Sequence, residues 1–179
     1  KQCEGSNPIT VMKQGIRTVN EGILAASKER EELSGMGTTF VCAVVDAGRL
    51  YVANIGDSRL YVLDRDTIRQ ITLDHSLVEE LIRTGQLDPL KVRNHPEKNI
   101  ITRALGANEE AIPDFFEIEL HMDEKILMCS DGLSNMVEDD EIQNIIIEAE
   151  QPEAAVIRLI DRANYYGGKD NIAALVVAQ

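Results

Sequence analysis

Basic residues are scarce in this sequence: 18 lysines and arginines stand against 31 aspartates and glutamates, a net charge of −13. That imbalance argues against a partner made of nucleic acid or anionic membrane, both of which select basic surfaces. It suits a protein that binds cations or basic partners, although most of these acids simply keep a surface soluble. Cysteine is also scarce. Cys3, Cys42 and Cys129 are odd in number, widely spaced and without a C-x-x-C pair, so neither a disulfide framework nor a zinc site is expected. Cys42 and Cys129 lie in apolar runs and read as reduced core residues, with the cytoplasm as the expected location. No apolar run approaches the roughly 20 residues that span a bilayer, and no signal-peptide pattern opens the chain. Internal repeats, linkers and low-complexity stretches are lacking too.

Two chemistries lose their signatures in the same way. Ser34-Gly35-Met36-Gly37-Thr38-Thr39 looks like a phosphate loop but lacks the Gly-Lys-Ser/Thr that a P-loop needs. A triad could be written from Ser58 or Ser130 with His75, His95 or His121, yet no G-x-S-x-G elbow supports it.

What is present reads as one domain, because 179 residues with 44% hydrophobic content can build a sizeable core. Asn7-Pro8 caps a helix expected over about 8–33, with Ile9, Met12, Ile16, Val19 and Ile23 as its apolar stripe. A buried strand at 40–45, a turn at Asp46-Ala47-Gly48 and strands at 50–55, 60–63 and 68–71 predict an antiparallel meander. A helix follows at about 76–84 with Leu77, Leu81 and Ile82 inward, then a polar flap from Gly85 to Lys98 and extended chain over 99–106. Phe116, Ile118 and Leu120 alternate with polar residues, giving a strand expected to pair with Lys125–Ser130. Helices at about 138–149 and 152–166, ended by Gly167-Gly168, lead into a last strand at 172–177.

Three acidic corners stand out: Gly56-Asp57-Ser58, Ser130-Asp131-Gly132 and Lys169-Asp170-Asn171. Asp57 and Asp131 end apolar strands, and Asp170 precedes one. Carboxylates converging at strand ends imply a bound cation or raised pKa values, and all-oxygen ligands favour Mg²⁺ or Mn²⁺ over zinc. Taken singly, each reads equally well as an ordinary turn aspartate. Arg59 and Arg103 read as structural ion-pair partners for these acids.

The corners belong to a longer ordered set. Ser34-Gly35-x-Gly37-Thr38-Thr39, Gly56-Asp57-Ser58-Arg59, Asp74-His75-Ser76, Ile101-Thr102-Arg103-Ala104-Leu105-Gly106, Ser130-Asp131-Gly132-Leu133 and Gly168-Lys169-Asp170-Asn171-Ile172 resemble the bacterial form of the metal-dependent type 2C serine/threonine protein phosphatases. Any one of these segments is weak; six in order are strong. The resemblance implies an α+β fold: an antiparallel β-sandwich flanked by helices in four layers, α-β-β-α, here without its N-terminal strands. It implies Asp131 and Asp170 as ligands of a first metal, Asp57 as a ligand of a third, weaker site shared with Asp131, and two Mn²⁺ or Mg²⁺ ions activating a water that hydrolyses phosphoserine or phosphothreonine on proteins. The implied partners are phosphorylated proteins, substrates of a cognate Ser/Thr kinase.

The sequence departs from the family in one respect. Arg-x-x-Asn-Glu-Asp and Asp-Gly-x-Gly-Gly-His are not in it, and with them go the phosphate-binding Arg, the bridging Asp and the His general acid. No catalytic residue is therefore assigned, and the chain alone is expected to be weak or inactive. Unpaired strand edges predict oligomers. Two alternatives stay open: a non-catalytic phosphatase-like module, and a hydrolase with Ser130 as nucleophile.

Overall fold

A computed structural model describes residues 7–178, apart from the side chains at 93 and 94; Cys3 lies outside that range. The described chain forms two compact units, one holding residues up to Asp57 with Asp74–Glu119, the other Ser58–Leu73 with the chain from Leu120 on.

The first unit is built on helix α1 (Pro8–Glu29) and a sheet of β1 (Phe40–Asp46), β2 (Arg49–Ile55) and β5 (Asp114–Glu119) in the order β1-β2-β5. Asn7 caps α1 by accepting from the Ile9 N–H, and Pro8 occupies the first turn. The helix stops at Glu29 because Arg30 turns extended; Glu31–Leu33 form a separate tight turn, not the continuation expected to residue 33. Met12 and Ile16 pack with Ala53, Ile55 and Leu105 into one core. Val19, expected inward, is 44% exposed, and Asn20 takes the buried place. Its Oδ1 accepts from Gly106 N–H at 2.7 Å and its Nδ2 donates to the Asn108 and Glu109 carbonyls, which satisfies a polar group inside the core.

The β1–β2 hairpin turns through Ala47 and Gly48, both at positive φ, the two-residue loop whose twist matches the strands. β1 is an edge strand with Val44 and Val45 exposed, not the buried strand its composition suggested. Helix α2 (Leu77–Arg83) starts at Ser76, whose Oγ accepts from the Glu79 N–H, and buries Val78 rather than Leu77, Leu81 and Ile82.

The second unit holds β3 (Arg59–Leu63), β4 (Ile68–Gln70), β6 (Lys125–Cys129) and β7 (Ala174–Val177), all antiparallel, in the order β4-β3-β6-β7. One face carries the single-turn α3 (Asp131–Ser134), α4 (Asp139–Glu148) and α5 (Pro152–Tyr165). Tyr61, Leu63, Leu127 and Cys129 from the sheet pack there with Leu133, Ile142, Ile146, Ala155 and Leu159. Neither Cys42 nor Cys129 is in a disulfide. No helix among the described residues is long and apolar enough to cross a membrane.

Two expected pairings are corrected. β1 to β4 are not one meander: β1 and β2 pair in the first sheet, β3 and β4 in the second, and the chain changes sheet at Gly56-Asp57-Ser58. β6 does not pair with β5; β5 adds to β2, and β6 lies between β3 and β7. Alternation sets which face a strand buries but does not name its neighbour.

Candidate metal centre

β6 organises the centre. Its last residue, Cys129, is in register with Arg59 at the start of β3 and with Ala174 at the start of β7. The corner after β6, the loop before β7 and the entry to β3 therefore meet at one end of the sheet. Ser130 joins the first two. Its N–H donates to the Ala173 carbonyl at 3.0 Å, its Oγ donates to the Asn171 carbonyl at 3.1 Å, and the same Oγ accepts from the Ala173 N–H at 3.0 Å. Gly132 brings the loops closer still: a Cβ there would lie 2.2 Å from the Asn171 oxygen, inside any tolerable contact. Only glycine fits.

Two carboxylates result at this junction. Asp131 opens α3, with one oxygen accepting from Asn135 Nδ2 at 3.1 Å. Asp170 is exposed, and its Oδ1 accepts from the Asn171 N–H at 2.7 Å. Burial and then the charge of Asp170 push the Asp131 carboxyl above its ordinary value, against the pull of Gly132 N–H, Asn135 and Arg59. Arg59 is held in turn: its Nη1 donates to the Tyr61 hydroxyl at 2.9 Å, and that hydroxyl donates to Asp139 at 3.2 Å. Burial raises the Tyr61 phenol well above its usual range, so it stays a neutral donor.

A half-buried carboxylate facing a second one fits a hard divalent cation, which relieves both the desolvation and the repulsion. Mg²⁺-like ions are commonly held by only one or two carboxylates, with water completing the shell. Among the described residues, no three His, Cys, Asp or Glu side chains gather into a group that could hold an ion.

Each expected site residue has a place. Asp131 and Asp170 come together. Asp57 is half-buried at the end of the first segment of the first unit, just after β2. Ser130, a candidate nucleophile, has its hydroxyl proton committed to a backbone carbonyl and no base beside it in the bonds it makes. Arg103 pairs with Asp114 at 3.1 Å, not with any of the three corner acids.

A family model described as protein phosphatase 2C matches residues 2–172. The chain belongs to that family. It is 41% identical over 168 residues to the serine/threonine phosphatase stp of Listeria welshimeri, covering 94% of this chain and 67% of the relative. The solved structure of the serine/threonine phosphatase Stp1 from Staphylococcus aureus superposes with a TM-score of 0.95 at 35% identity, covering all of this chain and 70% of that one. The catalytic domain of the phosphatase PstP, solved with two manganese ions, gives a TM-score of 0.87 at 31% identity, with coverage of 96% and 71%.

Protein phosphatase 2C enzymes are metal-dependent serine/threonine phosphatases, so the hydrolase class and the two antiparallel sheets with flanking helices expected from the six ordered segments are the ones found. The support around the acids is not legible in the sequence. Ser130, a candidate nucleophile in the sequence, clamps the two loops together. His75, a triad candidate and part of the Asp74-His75-Ser76 segment, is buried to 4% exposure between Gly56 and Asp114. The proximity of His75 and Asp114, 39 residues apart, leaves no local pattern to read.

Proposed function

We propose that Asp131 and Asp170 hold a divalent cation, Mn²⁺ or Mg²⁺, used to hydrolyse phosphoserine and phosphothreonine on proteins, and that Asp57 is a ligand of a further, weaker ion. The observation that carries this reading is the pairing of two carboxylates across the Ser130–Asn171 clamp, with Asp131 destabilised as an anion by burial and by Asp170. Membership of the phosphatase family and the manganese-bound relative support it. A bound cation would neutralise phosphoryl charge and lower the pKa of a coordinated water. The chain's own groups do the rest: Ser130 and Gly132 set the separation of the acids, Asn135 orients one oxygen of Asp131, and Arg59 lowers the cost of its charge.

The test is Mn²⁺-dependent hydrolysis of a phosphothreonine peptide by residues 1–179, assayed beside the Listeria relative. We expect turnover far below the relative, since no His or Arg of this sequence matches the general acid and phosphate-binding residue that the resemblance implies. Whatever turnover there is should vanish with EDTA and in Asp131→Asn. Turnover equal to the relative's contradicts the weakness. Hydrolysis that survives EDTA and falls in Ser130→Ala contradicts the metal reading.

The implied oligomer has a structural counterpart. β1 and β7 are edge strands with Val44, Val45, Leu175 and Val177 exposed, and such edges recruit further strands. Light scattering is expected to report a dimer or larger species; a monomer at all concentrations would refute this.

A further inference from the structure

Gly56, the residue before Asp57, is gripped on both sides of its backbone. Its carbonyl accepts from the His75 N–H at 3.0 Å and from Asn54 Nδ2 at 3.2 Å, and its own N–H donates to His75 Nδ1 at 3.1 Å. Its φ is +103°, and a Cβ there would lie 2.4 Å from Thr39 Cγ2, so no other residue can take this place.

The imidazole is fixed from its far side. Nε2 lies 3.0 Å from Asp114 Oδ2, while Arg103 Nη1 lies 3.2 Å from Nε2 and 3.1 Å from Asp114 Oδ1. A ring nitrogen that accepts carries no proton, so the Gly56 contact assigns the tautomer: Nδ1 is bare and Nε2 bears the hydrogen. Nε2–H therefore donates to Asp114, and the Arg103 guanidinium, unable to donate to the same protonated nitrogen, donates to the other carboxylate oxygen. Burial works to raise the Asp114 carboxyl, but His75 and Arg103 together hold it below the ordinary value, which keeps it an acceptor for both. The ring is buried and both nitrogens are engaged by protein groups. It does not meet substrate.

We propose that His75 is the positioning residue for Asp57. Its Nδ1 and its backbone N–H together fix the Gly56 peptide and so the direction in which the next side chain leaves the chain, with Asp114 and Arg103 fixing the ring. This rests on the reading of Asp57 as a metal ligand. Outer-shell partners of metal ligands are typically worth ten- to a hundredfold in affinity, far more than one surface hydrogen bond suggests, because a ligand a fraction of an ångström out of place loses its ion.

The test uses ¹⁵N-labelled full chain, reading the apparent Mn²⁺ dissociation constant from paramagnetic broadening of the Asp57 amide, beside the metal-free thermal midpoint. His75→Asn keeps an acceptor near the position of Nδ1 and loses the group facing Asp114. His75→Gln does the reverse. Both should lower the thermal midpoint, but His75→Gln should weaken Mn²⁺ at Asp57 about tenfold, the low end of that range, and His75→Asn should stay within about threefold of wild type, as expected when a hydrogen bond is kept in altered geometry. Arg103→Ala, at a partly exposed side chain, should fold and weaken Mn²⁺ about threefold by loosening the ring, the worth of one modest hydrogen bond; it decides the matter if His75→Gln does not fold. Equal constants in the wild type and whichever of these two variants is read would overturn the positioning role, as would equal weakening in both His75 variants. Asp57→Asn separates the two readings: if it leaves the broadening unchanged, Asp57 is no ligand and the proposal falls with it; if it abolishes the broadening while His75→Gln matches wild type, only the role of His75 falls.

Discussion

Gly132→Ala is expected to destabilise the protein by about 3 kcal/mol, the upper end of the usual overpacking cost, and to abolish Mn²⁺ binding at Asp131 and Asp170. The added carbon would sit 2.2 Å from the Asn171 oxygen and 2.9 Å from its carbonyl carbon. The obstacle is backbone, not a flexible side-chain end, so a rotamer change cannot relieve it. Relief requires the α3 corner to part from the loop before β7, and parting them breaks the three hydrogen bonds of Ser130 to Asn171 and Ala173. Since Gly132 follows Asp131 directly and Asn171 follows Asp170, the same movement separates the two carboxylates. Denaturant unfolding with and without Mn²⁺ measures both effects. A variant with the wild-type midpoint would show that the close approach is not needed.

Asp131→Asn is expected to leave the metal-free protein at least as stable as wild type and to remove the stabilisation by the Mn²⁺ that Asp131 and Asp170 share. The sign follows from the raised carboxyl. A carboxylate whose folded-state pKa lies above its unfolded value favours folding at pH below the shift, and that contribution is lost as pH rises through the folded pKa. At neutral pH the Asp131 charge therefore works against the fold, and a neutral amide does not. In the wild type, Mn²⁺ at a hundred times the dissociation constant of the Asp131–Asp170 site should add about 2.7 kcal/mol; in the variant that contribution should be lost. Thermal unfolding at pH 7 in EDTA and in Mn²⁺ reads both halves. A variant less stable than wild type in EDTA would contradict the electrostatic account, because it would mean that the charge is stabilised by its surroundings.

The sequence carried the elements better than their pairing. Asn7-Pro8, Ser76 and Gly167-Gly168 marked helix ends through local capping chemistry that the structure reproduces, with the Gly168 N–H closing onto the Ala163 carbonyl. Asp46-Ala47-Gly48 marked a hairpin because φ > 0 is required there and nowhere nearby. By contrast, the apolar strands β2, β3 and β6 look alike, and nothing in their alternation says that β3 leaves the sheet of β2 and joins β6. Within α1, Val19 fitted the apolar period but Asn20 won the buried place, because the Gly106–Glu109 loop needed a donor and an acceptor from the helix.

The site shows the same division. Asp131, Asp170 and Asp57 were legible as strand-end acids in an ordered set. Their supports were not, because Ser130 to Asn171, His75 to Gly56 and His75 to Asp114 are long-range contacts between residues whose local sequence reads as turns. The acids can be read from composition and order, but what aims them is visible only in three dimensions.

Asp131 and Asp170 are expected to share one ion. Mn²⁺ electron paramagnetic resonance on the metal-free chain counts bound ions directly, with Mg²⁺ as competitor. The expected result is a bound Mn²⁺ displaced by Mg²⁺ and lost equally in Asp131→Asn and Asp170→Asn. Undiminished Mn²⁺ binding in either variant would contradict it.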